Sequence, residues 1–76
     1  MARFFFDILA ESSYRYDFHG KWLNNVDEAR GVAEMVVLDL VVPDDSLWVG
    51  GEVRVRKENG DTICVLPIVA DSSLAA

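Results

Sequence analysis

Two aspartates, Asp7 and Asp17, and the single histidine, His19, are the residue types near the N-terminus that could do general acid–base work. Cys64 is the only thiol in the chain, and two serine pairs, Ser12-Ser13 and Ser72-Ser73, are the candidate hydroxyl nucleophiles. Each has a simpler reading. Asp7 lies in an apolar strand and is expected to pair with Arg15 on the neighbouring strand. Asp17 stands three residues before Gly20, where a short carboxylate closes a turn on its own backbone. His19 is a turn residue with no second histidine to share a metal. Cys64 sits among Ile63, Val65 and Leu66 and reads as a small buried side chain, since a nucleophilic thiolate needs a base and a positive setting. The serine pairs are loop and tail composition. "WVGGE" lacks the glycine spacing that cradles phosphate. No catalytic, cofactor-binding or metal-binding residue is predicted, and the chain reads as non-enzymatic.

The elements that position these residues follow from local pattern. Residues 2 to 9, "ARFFFDIL", form a first strand with no glycine or proline. "YRYDF" alternates as a second strand and partners the first across the polar "AESS". "DFHG" is a turn ending in glycine, and Lys21 to Leu23 make a short third strand. Asn25 caps a helix, and Glu28 completes a capping box. Apolar residues at Val26, Ala29, Ala33, Val36, Val37, Leu40 and Val41 keep helical spacing until Pro43 stops it near Val42. "EVRVRK" and "TICVL" flank Asn59-Gly60, which predicts a hairpin with a two-residue turn, and Pro67 suits a strand end. The order is β-β-(short β)-α-β-β: an α+β fold with an antiparallel sheet of about four strands and one helix on one face. Residues 1–68 form the domain and 69–76 a weakly structured tail.

These pieces in this order resemble a family of small uncharacterised bacterial proteins. "RFFFDI", Asp17 to Gly20, the helix from Val26 and "VRKENGDTICVLP" carry the resemblance, which runs from about residue 3 to 68. Asn24-Asn25 replaces the Pro-Asp more usual there and retains a cap. The family has no assigned activity, so the resemblance implies a fold and no chemistry.

Seventy-six residues support one small core, and a chain of this size buries only about 60% of its unfolded surface. One cysteine excludes an internal disulfide, and one histidine argues against structural zinc, which leaves association as the remaining source of stability. Apolar residues make up 51% of the chain. On the helix, Gly31, Met35, Leu38 and Val42 form a second apolar stripe opposite the core stripe. In the sheet, Phe5 and Leu9 oppose Phe4, Phe6 and Ile8, while Cys64 and Leu66 oppose Ile63 and Val65. With Trp48, the residues Gly31, Met35, Leu38, Val42, Phe5 and Leu9 are the interface candidates. A homodimer is the expected form, with room for another protein partner. The net charge of −6 repels nucleic acid. No apolar run reaches the ~20 residues of a membrane span. The N-terminus lacks the pattern of an export signal, which points to the cytoplasm. The competing reading is a small-molecule binder with a pocket lined by Trp22, Trp48 and His19.

Overall fold

The computed structural model describes residues 1–41 and 47–69. It is an α+β fold: one helix on a five-stranded antiparallel sheet, one strand more than expected because the short third strand joins it. The elements are β1 (Ala2–Leu9), β2 (Tyr14–Arg15), β3 (Lys21–Leu23), α1 (Val26–Val41), β4 (Glu52–Lys57) and β5 (Thr62–Pro67).

β1 is the spine. β4 lies beside it from Phe4 to Leu9 on one side, in the register Phe5↔Arg56 and Asp7↔Arg54, and β5 lies beyond β4. On its other side β1 has two short partners end to end. β3 pairs with Ala2 to Phe4, and β2 pairs with Ile8 and Leu9. The predicted five-residue second strand is thus only Tyr14–Arg15, because Asp17 leaves the strand to make its turn.

Alternation along β1 sends Phe4, Phe6 and Ile8 to the helix side, where they meet Val53, Val55, Ala29, Ala33, Val41 and Ile68. Ala29, Ala33, Val53, Val55 and Ile68 are all at 0% exposure, so the core is one dense layer between α1 and β1–β4. Small alanines on α1 let the helix approach the sheet closely. Asn25 caps the helix as read, with Glu28 N–H donating to Asn25 Oδ1 at 2.9 Å, but the Glu28 carboxylate reaches one residue further back than in a capping box and accepts from Asn24 N–H at 2.8 Å.

Two local details differ from the expectation. The hairpin at Asn59-Gly60 has a three-residue loop, with Gly60 N–H donating to Lys57 O and Lys57 N–H to Asp61 O. A two-residue turn with Asn-Gly would need positive φ at both residues, and only Gly60 has it (φ 97). In β5, Cys64 pairs with Val55 and Thr62 with Arg56, so Ile63 is the extra residue of a bulge. The bulge lets both Ile63 and Cys64 pack against the core, with Leu66, where strict alternation would separate Ile63 from the other two.

Candidate functional site

The face of the sheet away from α1 carries Arg3, Phe5, Asp7 and Leu9 of β1 and Arg54 and Arg56 of β4. At its centre Asp7 is 3% exposed. Its partner is Arg56 rather than Arg15: Arg56 Nε donates to Asp7 Oδ2 at 2.7 Å. Arg15 lies opposite Ile8, on the other face, with its guanidinium 5.5 Å from the Trp48 ring. The correction follows from which strand runs beside Asp7. β2 is too short to reach it, and β4 supplies a diagonal arginine.

Asp7 and Asp17 do meet, as a latch between backbones. Asp17 N–H donates to Asp7 Oδ1 at 2.9 Å. The Asp17 carboxylate accepts from the N–H groups of Phe6 (3.0 Å), His19 (3.0 Å) and Gly20 (3.1 Å). Arg56 closes the network by donating to the Asp17 carbonyl at 2.9 Å. All four carboxylate oxygens are thereby engaged. Burial pushes the Asp17 carboxyl up, but the three backbone donors and the charge of Arg56 outweigh it and hold the group below the usual carboxylate value. Its hydrogen bond to Asp7 raises the Arg56 guanidinium further. The arrangement fixes a turn. It offers no free proton acceptor to a substrate.

Gly20 completes the latch. It has φ 69, and a Cβ there would stand 2.8 Å from Arg3 Cγ and 2.9 Å from Phe5 Cε2. The turn therefore lies directly on Phe5. Arg56 lies over the Phe5 ring at 4.5 Å and Arg3 at 5.2 Å. Phe5 is 7% exposed and is covered by its own chain. Phe5, one of the interface candidates, is thus covered by arginine stems and a glycine turn of its own chain.

The other interface candidates divide. Leu9 is half-buried beside a shallow cavity with Ala10, Gly51 and Arg54, and Trp48 is half-buried against the core. Gly31 is half-buried on α1, while Met35 and Leu38 are 66% and 50% exposed. Val42 lies outside the described residues. Leu38 lines a groove of about 270 Å³ with Glu34 and Val37 of α1 and Leu66, Pro67 and Val69 from the β5 side.

His19 is exposed and Cys64 is a half-buried free thiol. Trp22 lies opposite Arg3 at one end of β1, and Trp48 meets Arg15 near the other. They do not share a pocket, and neither cavity above contains a tryptophan or His19. Among the described residues no three of His, Cys, Asp and Glu converge as a metal site, and no helix is long and apolar enough to cross a membrane. Tyr14, Tyr16 and Phe18 form an exposed aromatic ladder. Its rings follow at 6.2 and 4.8 Å, and the odd–even alternation of "YRYDF" was the signal for it.

A family described as a domain of unknown function (DUF6894) matches residues 3–70. The chain belongs to this family. The match to DUF6894 spans the residues of the latch in this chain, from Arg3 through Asp17 and Gly20 to Arg56, and runs past the last strand. No curated protein and no solved structure gives a significant match.

Proposed function

We propose that this DUF6894 domain is a non-enzymatic, cytoplasmic interaction module that associates with itself. The observation that carries the reading is apolar surface on and beside α1: Leu38 stands half in solvent over a groove floored by Leu66, Pro67 and Val69, with Met35 exposed next to it. Exposed apolar side chains contiguous with an apolar groove are the usual mark of a binding face. The carboxylates that might have served catalysis are committed to backbone donors, which favours a binding role over a reaction. With a net charge of −6 the partner is a protein surface rather than nucleic acid.

The test is a solution mass by light scattering or sedimentation. The native chain runs at twice its 8.5 kDa, and the double variant Met35→Glu/Leu38→Lys runs as a folded monomer. A native protein that is monomeric at every concentration overturns the proposal.

A further inference from the structure

The sheet has two borders, and they are built differently. The border along β1 is cut into two short strands, Tyr14–Arg15 and Lys21–Leu23, and between them the Phe6 N–H is taken by the Asp17 carboxylate. Short strands and plugged donors are how proteins keep a sheet edge from joining another. β5 has six residues, "TICVLP", and none is charged. Ile68 faces β4, donating to Gly51 O at 2.9 Å and accepting from Gly50 N–H at 2.8 Å. Alternation from there turns the backbone groups of Val65 and Pro67 outward. Proline has no N–H to offer, but Val65 presents both donor and acceptor at this border.

Above the same border runs one flank of α1. Glu34, Val37 and Leu38 overhang Leu66, Pro67 and Val69. Arg30 lies one turn before Glu34 on that flank. Neither Arg30 nor Glu34 forms an ion pair among the described residues.

Resting on the self-association proposed above, we infer that the second copy joins at this border, β5 pairing antiparallel with its counterpart and the α1 flanks meeting over the seam. A two-fold axis perpendicular to the sheet through β5 produces both contacts at once. It sets the helices antiparallel, brings Arg30 of each copy towards Glu34 of the other, and closes both apolar grooves. The occupant is a second copy because the charges on this flank are complementary to themselves under a two-fold axis. Two molecules of net charge −6 repel over most of their surfaces, whereas this border is uncharged below and carries a self-complementary plus–minus pair above.

Charge reversal tests it. Arg30→Glu and Glu34→Arg each shift the mass to that of a monomer, and combining them restores the dimer. Val65→Lys, which sets two like charges near the axis, also gives a folded monomer, whereas Met35→Glu alone stays dimeric. The backbone amide at position 65 exchanges slowly in the native dimer and at least tenfold faster in the Val65→Lys monomer, after correction for the intrinsic rate of each residue. A native dimer that Met35→Glu dissociates, while Val65→Lys and both charge reversals leave it intact, retains self-association and overturns pairing at β5. A native monomer overturns both.

Discussion

Arg56 Nε lies 2.7 Å from Asp7 Oδ2, and the same guanidinium stands 4.2 Å from the centre of the Tyr16 ring. One side chain thus ties β4 to β1 and to the turn that covers Phe5. Its side chain is 14% exposed and that of Asp7 is 4% exposed, so neither charge can turn to water if the other is removed. Arg56→Leu is predicted to cost about 3–5 kcal/mol, a large share of the ~4–11 kcal/mol available to a domain of this size. Urea denaturation checks it. Arg56→Lys should be milder, since it retains the charge but cannot bond both Asp7 and the Asp17 carbonyl.

Asp17→Ala removes the acceptor for three backbone N–H groups and should cost about 2–3 kcal/mol. Asp17→Asn should cost less, because its amide oxygen still closes the turn with His19 and Gly20.

Acid sensitivity follows from the same residue. The Asp17 carboxyl is depressed in the folded chain relative to 3.8. The stability it contributes is therefore complete above the unfolded value of about 3.9 and is lost as pH falls through the lower folded value. Urea midpoints measured from pH 6 down to 2 should fall more steeply for the native chain than for Asp17→Asn.

Two glycines should respond in opposite directions to alanine. Gly20→Ala meets both positive φ and the side chains of Arg3 and Phe5, and should cost about 2–3 kcal/mol. Gly31→Ala meets no atom within 4 Å and should stabilise the helix by about 0.5–1 kcal/mol. Thermal melts of the two variants read both effects. Unchanged solution mass for Gly31→Ala would further separate the outer stripe of α1 from the β5 seam.

Asn25→Ala should lose about 1 kcal/mol, with faster amide exchange confined to the first turn of α1.

What could be read from the sequence was local. The bounds of α1 follow from Asn25, Glu28 and a 3.6-residue apolar pattern, each acting within a turn. The Asp17 turn follows from a carboxylate and a glycine three residues apart. What could not be read was register. Asp7 finds Arg56, 49 positions away, only because β4 rather than β2 runs beside it. The fate of Phe5 depended on the same fact, since Arg56 reaches it from β4 and Gly20 from the turn before β3. Ile63 moved for a related reason: a bulge is a property of two strands and leaves little trace in one.

The unequal margins of the sheet also limit how large any assembly can grow. A slab with one margin open to addition has a stop built into it. Once the open margin is filled by its two-fold-related counterpart in the proposed pair, the outer margins are both the interrupted kind, and a third molecule finds no row of free amides to extend. Under the proposed pairing at β5, growth ends at two, without the fibres that a strip open on both sides would invite.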